Sequence, residues 1–270
     1  MQSNIARLPD RSVRYLEAGS GRPVVFLHAF PLSADQWLPQ LSRVPPGWRF
    51  VAPDLRGFRG GDAAADDVGL EGATLDTHAG DVLSLMAHLD IPSAVIVGLS
   101  MGGYIAFGLM RRAPSQVTAL VLANTRATPD SEKGLQSRDL MIDLAHRNGT
   151  SAVAADMLPR LMGPTTIREQ PDLVDAVRRL IEMNSKDGII SATRAMKTRP
   201  DSTPLLSSVV CPTLVVGGAE DAAVPQEDLL AMREAIPGAD FVMVPQVGHL
   251  SNLEAPRTFN DALAGFLQRL

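Results

Sequence analysis

Ala94-Val95-Ile96-Val97-Gly98-Leu99-Ser100-Met101-Gly102-Gly103 is the stretch from which the fold can be read. A short run of apolar, β-branched residues ends at a glycine, and an apolar helical pattern starts at Met101 with no linker between them. Gly98, Ser100 and Gly102 form the pattern G-x-S-x-G in a strand-turn-helix setting. A serine on so sharp a turn takes strained backbone angles, and glycines two residues to either side remove the Cβ atoms that would collide as strand and helix close up. The hydroxyl is expected to stand clear of the backbone, with a helix N-terminus behind it that favours developing negative charge. Residues 91–110 carry no charge and match the length of a membrane span. Pro92, Gly98, Gly102, Gly103 and Gly108 break that stretch into a buried strand, a tight turn and a buried helix, so it reads as core.

Similar apolar runs recur at residues 24–27, 50–52, 119–123, 213–216 and 241–244. Helical patterns at 34–41, 75–89, 101–112, 225–236 and 256–270 separate them. This alternation predicts an α/β fold with a mostly parallel central sheet covered by helices on both faces. A hairpin precedes it, with 13–17 as one strand. Between 126 and 200 the alternation gives way to helical periodicity. There Leu173, Val174, Val177, Leu180 and Ile181 share one face of a helix opened by Pro171. The chain therefore divides into a core domain, residues 1–125 and 201–270, and an inserted helical unit, residues 126–200. Met141, Met157, Met162, Met183 and Met196 fall in the insert, where flexible thioethers suit either a small core or an adaptable apolar pocket roof.

The 270 residues are enough for one to two domains with a sizeable core, and 45% of them are hydrophobic. With 25 Lys and Arg against 30 Asp and Glu, the formal charge of −5 offers no basic excess for nucleic acid or an anionic membrane. The single cysteine, Cys211, forms no intrachain disulfide and fits a reducing compartment; burial is its default. Arg7, Asp10, Arg11 and Arg14 interrupt the first fifteen residues, so no signal peptide is read there and the expected location is cytoplasmic. Neither H-E-x-x-H nor a clustered His, Cys and Asp set occurs, so no metal or cofactor is expected. A homo-oligomer is compatible with the sequence.

A serine hydroxyl becomes an effective nucleophile when a base takes its proton, and the base is oriented by a third group. Of five histidines, His249 follows the last predicted strand, where a loop reaches over the strand ends. His78 and His88 fall on a predicted helix beside Asp76 and Asp81 and read as a solvated face, and His146 has no evident partner. Asp221 follows the strand at 213–216 and precedes His249 by 28 residues. Its neighbour Glu220 competes for the orienting role, and spacing does not separate the two.

The motifs, in order, resemble those of the α/β-hydrolases, whose chain order is Ser, acid, His. The resemblance covers nearly the whole chain. It rests on Leu27-His28-Ala29-Phe30-Pro31-Leu32, Pro53-Asp54-Leu55-Arg56-Gly57-Phe58, the Ser100 turn, Gly218-x-x-Asp221-x-x-x-Pro225, and Gly248-His249-x-Ser251-Asn252-x-Glu254-x-Pro256. It implies an α/β-hydrolase fold with a helical cap at 126–200 and a triad of Ser100, His249 and Asp221. It also implies an oxyanion hole from the backbone N–H groups of Met101 and Phe30. The usual His-Gly pair is His28-Ala29 here, which is accommodated if Ala29 keeps a negative φ. His28 is expected to brace this loop. Serine in place of the aspartate used by haloalkane dehalogenases and epoxide hydrolases implies an acyl-serine intermediate.

Within the family the chain is similar to small bacterial carboxylesterases, enol-lactonases of the 3-oxoadipate type and cofactor-free perhydrolases. The similarity includes Phe30-Pro31-Leu32 running to Trp37 and Ala195-Met196-x-x-Arg199-Pro200-Asp201. It implies a serine hydrolase of small, largely apolar carboxylic esters, with Trp37, Met141, Met162 and Leu250 expected at the substrate. The alternative is a lactonase, for which Arg194, Lys197 and Arg199 would pair a substrate carboxylate. For those three an ordinary solvated basic face is the simpler reading. A ligand sensor that keeps the fold is a further alternative, because fold does not dictate function.

Overall fold

Strands that are apolar on both sides form the centre of the computed structural model, which describes residues 1–59 and 69–270. They are β1 (Gln2–Arg7), β2 (Ser12–Gly19), β3 (Arg22–Leu27), β4 (Trp48–Pro53), β5 (Ala94–Leu99), β6 (Val117–Ala123), β7 (Thr213–Gly218) and β8 (Asp240–Val244). One eight-stranded sheet has the order β1-β2-β4-β3-β5-β6-β7-β8. β1–β2 and β2–β4 pair antiparallel, which is the expected hairpin and its continuation, and every later pair is parallel. All six residues of β5 are buried, as for a strand covered on both faces. The register pairs Leu27 with Gly98, Leu99 with Ala123, Ala123 with Val216, and Gly218 with Val244. The carboxyl ends of β3, β5, β6, β7 and β8 therefore lie level along one edge, where parallel α/β sheets place their ligands.

The helices α1 (Leu38–Leu41), α2 (Leu75–His88) and α3 (Met101–Arg112) follow the early strands. An all-helical insertion separates β6 from β7: α4 (Glu132–Leu161), α5 (Pro164–Glu169), α6 (Pro171–Glu182) and α7 (Lys186–Lys197). α8 (Gln226–Ala235), α9 (Ser251–Glu254) and α10 (Pro256–Leu267) complete the chain. α4 is two helices joined at Gly149, whose φ of 74° and ψ of −170° take it out of the helical region. α6 begins at Pro171, where a missing N–H costs nothing, and buries Val177 and Ile181 while Leu173, Val174 and Leu180 pack against the core. The apolar stretch 91–110 is β5, the turn and α3. Among the described residues no helix is long and apolar enough to cross a membrane.

Two expectations are corrected in the core. Trp37 is fully buried, its ring between Phe26 and Phe259 at centroid distances of 5.0 and 6.0 Å, so it packs the core and does not reach a substrate. His78 is buried on the inner face of α2, and only His88 is exposed. Leu75, Ala79, Val82, Leu85 and Met86 line the same inner face, and the helical period carries position 78 inward with them. Neither ring nitrogen of His78 has a partner among the described residues. Burial lowers its pKa from 6.5 to about 4, against the opposing pull of Asp81.

That buried ring has a measurable consequence. Between pH 6.5 and about 4 the unfolded chain protonates His78 while the folded chain does not, so this part of the stability is present above pH 6.5 and lost as pH falls through that window. His78→Leu removes two unpaired polar atoms. It is expected to raise stability at neutral pH by about 1 kcal/mol and to flatten the decline between pH 6.5 and 4 in denaturant titrations. An unchanged acid limb would contradict this account.

Candidate functional site

Ser100 sits at the end of β5 with φ 56° and ψ −113°, the sharp turn expected from its glycines. A Cβ on Gly98 would meet the Gly102 carbonyl oxygen at 2.4 Å, and one on Gly102 would meet the Leu27 carbonyl oxygen at 2.1 Å. A Cβ on Gly103 would strike the Thr125 side chain at 2.4 Å. The turn is fixed by two further bonds. Ser100 N–H donates to the Ala123 carbonyl at 2.9 Å, and Thr125 Oγ1 donates to the Ser100 carbonyl at 2.8 Å.

Asp221 leaves the end of β7, and His249 follows β8. His249 Nδ1 lies 3.0 and 2.9 Å from the two carboxylate oxygens. Asp221 also accepts from the N–H groups of Ala223 and Val224 and from Asn124 Nδ2. Burial alone would raise this carboxyl group. The His249 ring and the hydrogen bonds outweigh it and hold Asp221 below the usual carboxylate range. An ionised carboxylate only accepts, so the His249 proton belongs on Nδ1 and Nε2 keeps its lone pair.

Glu220, which spacing could not distinguish from Asp221, faces the insertion. It accepts from the Thr165 N–H at 2.9 Å and from Thr165 Oγ1 at 2.6 Å, tying down the start of α5.

The backbone N–H groups of Phe30 and Met101 carry no hydrogen bond among the described residues, although both residues are buried. Ala29 keeps a negative φ, so alanine fits in place of the usual glycine. Its N–H donates to Gln36 Oε1 at 2.8 Å. His28 braces the loop as expected. Its Nε2 accepts from the Leu55 N–H at 3.0 Å and its Nδ1 bonds the Ala29 carbonyl, while burial lowers its pKa from 6.5 to about 3.

Three side chains that the sequence reading did not single out for a role join these loops. Asn124, at the end of β6 with φ 46°, donates to Asp221 and to the Gly248 carbonyl and accepts from Ser251 Oγ at 2.5 Å. Asn252 donates to the Gln36 carbonyl and accepts from Gln36 Nε2, linking the His249 loop to the Phe30 loop. Buried Glu254 accepts from the N–H groups of Gly248, Leu250 and Gly163, which couples the His249 loop to the insertion. The signal for Asn124 was its position, directly after a predicted strand and on the same edge as Ser100.

A cavity of about 250 Å³ opens between the sheet edge and the insertion. Phe30, Ser100 and His249 line one side, and Met141, Met157 and Met196 line the other. Of the four residues expected at a substrate, only Met141 lines it. Met162 is buried at the end of α4, where its backbone abuts Gly248, and Leu250 lies in the core with its N–H held by Glu254. Arg199 is a second departure from expectation: it is buried, ion-paired to Asp130 at 2.8 Å and stacked over Tyr104, while Arg194 is exposed and Lys197 pairs with Asp139. Cys211 is half-buried.

Comparison with known proteins gives the same architecture. Residues 22–256 match the family model described as the α/β hydrolase fold. An esterase from Thermogutta terrifontis, solved with malate bound, is 34% identical with a TM-score of 0.92, covering 100% of this chain and 99% of its own. The enol-lactonase from Burkholderia xenovorans LB400 is 26% identical with a TM-score of 0.88, covering 98% and 100%. The 3-oxoadipate enol-lactonase 2 of Acinetobacter baylyi is 26% identical over 96% of this chain and 94% of its own. With the family model matched over most of its length and hydrolases on both sides of the comparison, the chain belongs to the α/β hydrolase fold family as an esterase- and lactonase-like hydrolase.

Proposed function

We propose that the chain is a serine carboxylic-ester hydrolase acting on small esters through an acyl-serine intermediate. The observation that carries this reading is that strained Ser100 and Asp221-bound His249 line one cavity with Phe30, and that the backbone N–H groups of Phe30 and Met101 have no partner among the described residues.

In this reading Ser100 Oγ attacks the ester carbonyl carbon as His249 Nε2 takes its proton. The carbonyl oxygen becomes an oxyanion that accepts from the N–H groups of Phe30 and Met101, each worth about 10²–10³ in kcat when such a donor is removed elsewhere. His249 returns the proton to the leaving alcohol, and the C–O bond breaks to give the acyl-serine. Water then attacks that ester, giving its proton to His249, which passes it to Ser100 as the acid leaves. Asp221 holds the imidazole in the Nδ1–H tautomer and stabilises its charged form.

A lactone is an internal ester and follows the same steps, with the alcohol retained in the product. The similarity to enol-lactonases supports lactones as a second substrate type.

Two substitutions test the assignment. Ser100→Ala is expected to abolish turnover of p-nitrophenyl acetate and butyrate while leaving the thermal unfolding midpoint within a few degrees, and retained turnover would overturn the nucleophile. Asp221→Asn cannot hold the charged imidazole and presents a donor to it, so kcat is expected to fall by about 10³–10⁴. A loss below about tenfold would show that another group orients His249.

A further inference from the structure

An apolar acyl pocket needs no cations, yet the insertion places arginines in the wall of this one. Arg126, Arg138 and Arg160 line the cavity with Ser100 and His249, and Asp130 is the only acidic side chain among its described lining residues. Asp130 is itself buried and already committed. Its Oδ1 accepts from Arg126 at 2.8 Å and from Arg199 at 2.8 Å, and its Oδ2 accepts from Arg138 at 3.0 Å.

Three guanidinium groups thus share one carboxylate. Arg126 Nη1 also pairs with Asp228 at 3.9 Å, so two carboxylates face these three guanidinium groups and positive charge stays in excess. Arg160 is ion-paired to Asp156 within its own helix, and burial with the charge of Arg138 holds it below its usual value. Arg126 Nε is buried without an acceptor among the described residues. Like charges this close repel, and an unmet buried donor is costly, so the arrangement is favourable when an anion enters.

The geometry points to a carboxylate-binding subsite formed by Arg126 and Arg138, with Arg160 beside them, that selects esters or lactones bearing a free carboxylate elsewhere in the molecule. This rests on the proposed esterase reading and narrows it. Guanidinium forks match the two oxygens of a carboxylate, and a cavity of about 250 Å³ admits a short-chain half-ester. Asp130 is the positioning residue: it fixes two of the guanidinium groups from the side of the protein and leaves their remaining N–H donors for the substrate. The sequence offers Arg194, Lys197 and Arg199 for such a group, whereas the cavity presents Arg126 and Arg138. Arg199 instead supports Asp130 from behind.

The test is a matched pair of esters, mono-p-nitrophenyl glutarate and p-nitrophenyl pentanoate, which differ at the far end in a carboxylate. Wild type is expected to favour the glutarate ester in kcat/KM by about tenfold or more, a preference that shrinks as salt is raised. In Arg138→Gln and in Arg126→Gln the ratio of the two kcat/KM values is expected to fall by about tenfold, and Arg138→Lys should recover part of it. A wild-type preference for pentanoate, or a ratio indifferent to both substitutions, would overturn the subsite. Ser100-dependent turnover of pentanoate in that case would leave the esterase reading intact.

Calorimetric titration of glutarate provides a readout that does not need turnover. Binding to wild type that weakens in Arg138→Gln supports the subsite even if neither ester is hydrolysed, and equal binding to both proteins overturns it.

Discussion

Ser100 is held at φ 56° and ψ −113°, a region that costs a non-glycine residue about 1–3 kcal/mol, and the surrounding backbone is shaped to keep it there. The strain persists because α3 starts against β3 and β5 with no space for side chains between them. Gly102 lies on the Leu27 carbonyl and Gly98 on the Gly102 carbonyl. The same closeness brings the start of α3 against the end of β3, and Phe30, from the loop after β3, lines the cavity with Ser100. Parallel register sets the rest: with Leu99 beside Ala123 and Ala123 beside Val216, whatever follows β6 and β7 emerges at the same level as Ser100.

Loops emerging from one edge could still move independently, and buried polar side chains prevent that. Asn124 bonds Asp221, the Gly248 carbonyl and Ser251, so the ends of β6, β7 and β8 are joined through one amide. Asn252 and Gln36 carry the connection on to the Ala29 N–H, beside Phe30. Each of these groups is buried, and removing one partner would leave the other unpaired at a cost of about 1–3 kcal/mol, which makes the network stiff. Glu254 and Glu220 extend it to the insertion by accepting from Gly163 and Thr165. The roof of the cavity is thereby positioned by the residues that flank Asp221 and His249 in sequence.

The sheet was legible because buried parallel strands are apolar runs and the helices between them have clear periods. Strand ends differed from expectation by a residue or two, where the pattern carries least information. The turn at Ser100 was legible because glycine spacing encodes a steric constraint directly. Side chains whose surroundings come from distant parts of the chain were harder. Trp37 reads as a substrate aromatic until Phe26 and Phe259 enclose it. His78 reads as solvated beside Asp76 and Asp81 until α2 turns that position inward. Arg126 and Arg138 were not legible as cavity residues because they are brought together through a third residue, Asp130, and lie twelve positions apart in the sequence.

The proposed chemistry puts the acyl group on Ser100. The most direct measurement is reaction with a fluorophosphonate, which traps an activated serine as a tetrahedral adduct, followed by mass mapping of the digested protein. The account predicts one adduct per chain, on the peptide containing Ser100, with labelling strongly slowed in His249→Ala. An adduct on another residue, or labelling of Ser100 at an equal rate without His249, would contradict it.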